Sequence, residues 1–168
     1  MIARKRISAG IVLAGTLITL YAIIPFAAMQ QEGENAPKAA AKPGVTLDYE
    51  FFKAKVEPIF LKKRWPNHAR CYSCHEQSKH RNGLHLETLT PGASFWNEEQ
   101  SRKNFETVSK LVVPGNPDAS FFPMHPLDPV VGGTWQHVHN GGRQFESKDD
   151  PDFKNAVAWI RGQKATAP

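Results

Sequence analysis

The chain has only two cysteines in 168 residues, and no Ser-His-Asp or paired-carboxylate array stands out in it. Two cysteines allow at most one disulfide, which excludes a small fold held together by several disulfides. The length excludes a large multidomain enzyme. Because 40% of the residues are apolar and 22% are charged, the composition is that of a globular protein and not of a disordered one.

Long hydrophobic runs are also scarce, and the one that stands out, residues 7–29, directly follows Arg4, Lys5 and Arg6. As a helix it is long enough to cross the roughly 30 Å hydrocarbon core of a bilayer. Because basic flanks stay in the cytoplasm, everything after residue 29 is placed on the periplasmic side. We therefore predict that residues 1–29 are an uncleaved signal anchor, a single-pass transmembrane helix of the cytoplasmic membrane.

Two other interpretations of this segment stay open, a cleaved signal peptide and a buried helix of a soluble domain. Residues 26–29, Phe-Ala-Ala-Met, lack the small residues at alternate positions that usually precede a cleavage site. No cysteine follows the run, so a lipidated N terminus is not expected.

After the apolar run, residues 30–45 are rich in Ala, Pro, Gly and Lys without apolar periodicity, which predicts a flexible linker. A folded domain over residues 46–163 and a short tail, 164–168, should follow. Thr46 or Asp48 can cap a first helix, with a kink or restart at Pro58. Its apolar stripe would be formed by Phe52, Val56, Ile59 and Phe60.

The last helix should begin at Pro151 with Asp150 as its N-cap and stop at Gly162. Between the two terminal helices, frequent Gly and Pro break up the chain, and only residues 99–112 are long enough for another helix. This pattern predicts a mainly α, loop-rich domain with a weak core of its own, whose centre is filled by something else.

Both cysteines stand in one short motif, Cys71-Tyr72-Ser73-Cys74-His75. The spacing C-x-x-C-H predicts attachment of a c-type haem. Each thiol can form a thioether to one of the two vinyl groups, and the adjacent imidazole of His75 can then bind the iron. Export, the lack of further cysteines and the weak core all favour this interpretation.

Two other uses of the motif stay open. A redox-active C-x-x-C or a disulfide would be expected beside a βαβ pattern, which the sequence does not show. Zinc would need a second close pair such as C-x-x-C or H-x-x-x-H at the usual spacing, and the sequence has neither a second C-x-x-C nor an H-x-x-x-H. We therefore predict one covalent haem c, bound by Cys71, Cys74 and His75.

The residue on the opposite face of the iron is less closely defined. An electron carrier needs a sixth ligand, normally Met or His. His80 and His85 stand too near the motif to reach round it comfortably. Prolines would stiffen a loop that carries Met124 or His125, whereas glycines after His139 let the backbone approach closely. The downstream candidates are Met124, His125, His137 and His139.

The motif between a first and a last helix resembles class I c-type cytochromes, in which those helices pack against each other beside the haem. Three more segments resemble the single-haem cytochrome domains common in planctomycetes and acidobacteria: residues 83–87 (Gly-Leu-His-Leu-Glu), 114–120 (Pro-Gly-Asn-Pro-Asp-Ala-Ser) and 158–160 (Ala-Trp-Ile). The likeness covers roughly residues 51–162. It implies a class I-like cytochrome c domain behind the N-terminal transmembrane helix.

The resemblance also bears on the sixth ligand. In the planctomycete pattern a Met-Pro-Pro loop shortly before the last helix supplies it, but this sequence has no Met-Pro-Pro and holds His139 in the corresponding stretch. Class I cytochromes likewise place this ligand just ahead of the last helix, and His139 stands much nearer to that helix than Met124. We predict His139, with Met124, His125 and an open site as alternatives.

These features together predict a single-electron carrier and not an enzyme. Its tether would keep it near a membrane electron-transfer complex, either as a bound subunit or as a shuttle. A photosynthetic reaction centre and a quinol-oxidising respiratory complex would each need such a donor or acceptor. The alternative is a haem enzyme or ligand sensor, which requires an open iron position.

The net charge of +5 is divided unevenly along the chain. Three positive residues precede the apolar run and set topology, so the charge does not indicate nucleic acid. Residues 53–81 hold eight basic residues against Glu57 and Glu76: Lys53, Lys55, Lys62, Lys63, Arg64, Arg70, Lys79 and Arg81. They form either a solvated helix face or a docking face beside the haem for an acidic partner.

Overall fold

The computed structural model describes residues 40–64, 68–76, 83–134, 139 and 141–166, which lie within one compact unit, residues 37–168. Within these ranges the chain forms helices joined by long loops, with no β-strand and only two isolated bridges. The prediction of a mainly α, loop-rich domain is confirmed. In the same ranges no helix is both long and apolar enough to cross a membrane. The predicted anchor, residues 1–29, lies outside the described residues.

The first helix, α1, covers residues 49–61 in three consecutive segments, of which Tyr49–Phe51 and Glu57–Leu61 are α-helical and Phe52–Val56 is π-helical. The Oδ1 atom of Asp48 accepts the Phe51 N–H at 2.7 Å, which caps the helix and holds the pKa of Asp48 below its usual value. The wider π turn comes just before Pro58, where a kink was predicted. Proline has no N–H to donate, and its ring crowds the carbonyl four residues back.

Four further helices follow, with two short 3₁₀ turns at Pro117–Ala119 and Pro129–Val131. Helix α3 begins one residue earlier than predicted and ends three residues earlier. Its N terminus is fixed by a reciprocal capping box between Asn97 and Gln100. Neither α2 nor α4 was predicted, because each is too short to show a periodic apolar stripe. The four helices are α2, Cys71–His75; α3, Glu98–Ser109; α4, Phe121–Met124; and α5, Pro151–Ile160.

Both predicted ends of α5 are confirmed. Asp150 Oδ1 accepts from the N–H groups of Asp152 and Phe153 at 2.8 and 3.3 Å. At the other end Gly162, with φ of +86°, donates to Trp159 O at 2.9 Å, and Gln163 donates to Ala158 O at 3.0 Å. This pair of bonds is the Schellman arrangement, in which a left-handed glycine stops the helix.

Helices α1 and α5 pack against each other. The rings of Phe52 and Trp159 have centroids 5.2 Å apart, and Trp159 Nε1 donates to Asp48 O at 3.0 Å. Around them lies an aromatic core that also includes Phe60, Phe122, Phe145 and Phe153. The expectation of a weak core was therefore wrong, because Phe122 in the short helix α4 and Phe145 in a loop contribute large buried rings that helical periodicity does not reveal.

The end of the predicted linker packs on this domain. Lys42 N–H donates to Pro114 O at 2.8 Å, and Gly115 N–H donates to Ile160 O at 2.7 Å. A Cβ on Gly115 would lie 2.6 Å from Cβ of Lys42, so only glycine allows the two backbones to approach so closely. The chain is thus held to the domain from Lys42 onward.

A buried carboxylate joins α1 to α3. Glu57 is 6% exposed, and its two oxygens accept from Ser101 Oγ at 2.8 Å and Asn104 Nδ2 at 3.1 Å. Burial raises the pKa of the Glu57 carboxyl, and the two hydrogen bonds oppose that rise. Asn104 Oδ1 also accepts the N–H of Glu87 at 2.8 Å, so the network reaches the segment that follows α2.

Replacing Glu57 by Gln should change how stability depends on pH. A carboxyl whose pKa is raised in the folded state contributes stability at low pH and loses it as the pH rises through the raised pKa. The amide does not titrate. We expect the free energy of unfolding of Glu57→Gln to rise relative to that of the wild type between about pH 4 and pH 8, measured by urea denaturation.

The matched control is Glu106→Gln, which removes an exposed carboxylate from α3. Its difference from the wild type should stay nearly constant over the same range. A pH-independent difference for Glu57→Gln would show that the pKa of Glu57 is not raised.

Candidate functional site

The motif Cys71-Tyr72-Ser73-Cys74-His75 forms a single helical turn, α2. Residues three and four positions apart lie on the same face of a helix, so Cys71, Cys74 and His75 share one face. Both cysteines are free thiols and are half-buried, as is His75. The spacing of the motif thus places two thiols and one imidazole side by side.

The segment that follows α2 in the described chain holds this turn in place. Leu86 N–H donates to His75 O at 2.8 Å, and the Nδ1 atom of His75 lies 3.0 Å from Leu84 O. Tyr72 Oη accepts the N–H of Leu89 at 3.0 Å, and its ring packs edge-on against Trp96. Both the backbone and the imidazole of His75 are therefore fixed by residues 84–89.

A cleft with about 640 Å³ of empty space, including solvent at its mouth, opens beside α2. Its walls are largely apolar. Five groups with polar atoms line it as well: Cys71, His75, His125, His139 and Gln144. An apolar lining with a few polar groups turned toward the same space is typical of ligand and cofactor sites. The apolar walls are formed by Phe60, Leu84, Leu111, Phe121, Phe122 and Pro126.

Two of the histidines in this cavity stand opposite each other. The rings of His75 and His139 have centroids 6.0 Å apart and are inclined by only 20°. Each has its Nδ1 atom at a backbone carbonyl, His75 at Leu84 O (3.0 Å) and His139 at Gly142 O (2.6 Å). A carbonyl can only accept, so Nδ1 carries the proton and Nε2 of each neutral ring carries the lone pair that could bind a metal.

A tight turn positions His139. Gly142 N–H donates to His139 O at 2.8 Å, and Gly142 has φ of +74°. A Cβ on Gly141 would come within 3.0 Å of Cε1 of the His139 ring. Gly141 thus leaves the space that this imidazole occupies. From the sequence we predicted that these glycines let the backbone approach the haem closely. We did not predict that Gly141 leaves space for the His139 ring.

The alternative ligands are placed differently. His125 lines the same cavity, with its ring centroid 5.3 Å from that of His139, but its Nδ1 atom lies 3.2 Å from Thr134 Oγ1. A hydroxyl can donate or accept, so this contact does not fix the tautomer of His125. Met124 is 7% exposed and packs in the hydrophobic core, and it does not line the cavity in the described structure. His137 and His80 lie outside the described residues.

The environment of the thiols bears on the other uses of the motif. Burial raises the pKa of the Cys71 thiol to about 11, so the thiol is neutral near pH 7. Reactive redox cysteines have lowered pKa values instead. In the part of the chain that the structure describes, no group of three or more His, Cys, Asp or Glu side chains could hold a metal ion. A zinc site of protein ligands alone has no support in these residues.

The fold neutralises part of the basic segment. Lys53 pairs with Glu98, Lys62 with Asp152, and Arg64 with both Asp150 and Asp152. In contrast, no described carboxylate lies within ion-pair distance of Lys55, Lys63 or Arg70, which are exposed. Lys79 and Arg81 lie outside the described residues. The count of basic residues along the sequence missed these pairs, because the acidic partners come from α3 and the start of α5.

Sequence reasoning missed two parts of the site. Gln144 is 4% exposed and lines the cavity, yet it stands in a loop with no recognisable motif. The carbonyl of Leu84 fixes the His75 ring. Because every residue has a backbone carbonyl, the sequence gives no direct sign of this contact. The one available signal was the glycine at position 83, which has φ of +83° and lines the cavity beside Leu84.

Replacing Gly141 by Ala should displace the His139 ring without affecting His75. The added Cβ would lie only 3.0 Å from Cε1 of the ring, so the ring must shift and the hydrogen bond from His139 Nδ1 to Gly142 O should weaken. Nitrogen-15 NMR of the apoprotein in alkaline buffer measures the tautomer of each ring. We expect both rings protonated at Nδ1 in the wild type, and a mixed tautomer at His139 alone in Gly141→Ala. An unchanged His139 signal would contradict this role of Gly141.

Comparison of the whole chain with protein-family models, with curated proteins and with solved structures finds no match.

Proposed function

We propose that this protein is a single-electron carrier with one covalently bound haem c. The observation that carries the proposal is the cavity in which two nearly parallel imidazoles, each with Nδ1 at a backbone carbonyl, lie beside the Cys71 thiol. Cys74 shares the helical turn of Cys71 but is not among the described residues that line the cavity. Histidines that bind a metal usually donate their other ring N–H to a carbonyl or carboxylate, and both of these do so.

The residues present fit this group. Cys71 and Cys74 would hold it through two thioethers, and His75 would bind on one side. His139 would bind on the other side, since its ring is nearly parallel to that of His75, with the two ring centroids 6.0 Å apart. When bound, the haem supplies reversible one-electron chemistry at its iron.

The geometry supports His139 as the sixth ligand over the two alternatives. The His139 ring is nearly parallel to that of His75 and has its Nδ1 atom at a backbone carbonyl, whereas the His125 ring is nearly perpendicular to that of His139. Met124 packs in the hydrophobic core. If His75 and His139 both bound the iron, no position would remain for oxygen or a substrate. This supports a carrier over a haem enzyme or a ligand sensor.

The predicted anchor completes the proposal. Residues 1–29 would hold the domain at the periplasmic face of the cytoplasmic membrane, and the partner would be a membrane electron-transfer complex, photosynthetic or respiratory. Lys55, Lys63 and Arg70 are exposed and would be available to an acidic docking surface on that partner. Lys53, Lys62 and Arg64 already bind carboxylates of this chain and would contribute less.

The visible spectrum of the purified, haem-loaded chain tests the carrier function. We expect covalent attachment that denaturation does not release, a low-spin spectrum and no reaction with carbon monoxide. His139→Ala should open one axial position and make the reduced protein bind carbon monoxide, because water replaces a nitrogen ligand. The matched controls Met124→Leu and His125→Ala should keep the low-spin spectrum.

Three outcomes would contradict the proposal in different ways. Absence of covalent haem in the wild type would remove the function altogether. A wild-type haem that binds carbon monoxide readily would favour an enzyme or sensor. Loss of the low-spin spectrum in Met124→Leu or His125→Ala, with His139→Ala unchanged, would reassign the sixth ligand.

The docking proposal predicts a salt-dependent effect of Lys63. Lys63→Glu should slow electron transfer to an acidic partner at low ionic strength, and the difference from the wild type should shrink near 1 M salt, where charges are screened within about 3 Å. Lys110→Glu, an equal charge change at the end of α3, is the control. Stopped-flow kinetics with the membrane complex measures both rates. Equal rates for Lys63→Glu and the wild type at low salt would exclude Lys63 from the docking face.

A further inference from the structure

Gln144 is a buried side chain of the cavity to which the proposed function gives no role. It is 4% exposed and lines the same space as Cys71, His75 and His139. Its backbone N–H donates to Pro126 O at 2.7 Å, which fixes the residue on the wall of the cavity. A buried amide needs hydrogen-bond partners, and those that it finds show what it does.

The two ends of the amide contact two different parts of the site. Oε1 accepts from the thiol of Cys71, with an S···O distance of 3.8 Å. Nε2 donates to Gly141 O at 3.2 Å. A thiol can donate and a carbonyl can only accept, so an amide, with one accepting and one donating end, suits both neighbours. Gly141 belongs to the turn that carries His139.

We propose that Gln144 is a positioning residue that ties the Cys71 thiol of α2 to the His139 turn across the cavity. This inference rests on the proposed function and deepens it. The hydrogen bond that Oε1 accepts orients the Cys71 thiol before attachment. The hydrogen bond that Nε2 donates holds the turn that carries His139. One side chain thus sets the relation between the attachment helix and the loop on the opposite side.

The two contacts act at different stages. During attachment the S–H of Cys71 adds across a vinyl C=C bond: a C–S bond forms, the hydrogen goes to the neighbouring carbon, and no oxidant is needed. The thioether has no S–H, so Oε1 then loses this donor, while the bond from Nε2 to Gly141 O persists. The thiol contact is therefore tested in the apoprotein and the turn contact in the haem-loaded chain.

In the apoprotein, Gln144→Met should free the Cys71 thiol from its hydrogen bond and so make it more reactive. Alkylation by iodoacetamide followed by peptide mass spectrometry gives the rate at Cys71 relative to Cys74, which serves as an internal reference. We expect this ratio to rise about fivefold, the change that corresponds to one lost hydrogen bond. The matched control is Gln100→Met, whose amide also makes two hydrogen bonds, with Thr88 O and Asn97 N–H, and should leave the ratio unchanged. An unchanged ratio in Gln144→Met would overturn the thiol contact.

In the haem-loaded full chain, Gln144→Met should keep the covalent attachment but acquire a fraction that binds carbon monoxide, because the His139 turn is loosened. Gln100→Met should lose comparable stability without this spectral change. A Gln144→Met spectrum identical to that of the wild type would overturn the positioning role. If Gln144→Met does not fold, Gln144→Asn, which keeps the amide but is too short to reach both partners, replaces it in both arms.

The failures of the two proposals are distinguishable. A wild type without covalent haem overturns the proposed function, while the alkylation ratio in the apoprotein still decides whether Gln144 holds Cys71. A wild type with covalent, low-spin haem and no effect of Gln144→Met overturns the role of Gln144 alone.

Discussion

The geometry of the cavity depends on backbone carbonyls that fix imidazoles. The bond between His75 Nδ1 and Leu84 O sets both the tautomer and the orientation of the ring, and the bond between His139 Nδ1 and Gly142 O does the same on the other side. An imidazole on a free side chain would rotate about two bonds. Residues 84–89 and the 139–142 turn lie outside the cysteine motif, yet their backbone carbonyls set the orientation of the two imidazoles.

The support of this site extends into the core of the domain. Glu57 on α1 binds Ser101 and Asn104 on α3, and Asn104 in turn holds the N–H of Glu87. Burial of a carboxyl costs free energy unless the group is hydrogen-bonded. Hydrogen bonds also have a preferred direction, which apolar contacts lack. Helix α1 also packs on α5 through the rings of Phe52 and Trp159. The domain therefore has an aromatic core of its own, and the cavity lies beside it.

Charge shows how folding alters a property counted along the sequence. Residues 53–81 form a strongly basic stretch, yet Asp150 and Asp152 at the start of α5 bind Lys62 and Arg64 in the folded domain. Arg64 also lies over the ring of Phe145, 4.9 Å from its centroid. Lys62 and Arg64 thus link the end of α1 to the start of α5. The exposed positive surface is therefore smaller than the sequence suggests.

The sequence by itself determined the helical, loop-rich class of the domain, the cap at Asp150, the stop at Gly162 and the C-x-x-C-H spacing of Cys71, Cys74 and His75, and it narrowed the first cap to Thr46 or Asp48. Each of these follows from local spacing or from backbone preferences of single residues. Only the tertiary structure decided which distant histidine faces His75, that Met124 is a core residue, that Gln144 joins the two sides of the cavity and which lysines are neutralised. Those relations join residues dozens of positions apart, and no local pattern encodes them because they arise from how the loops close around the packed helices.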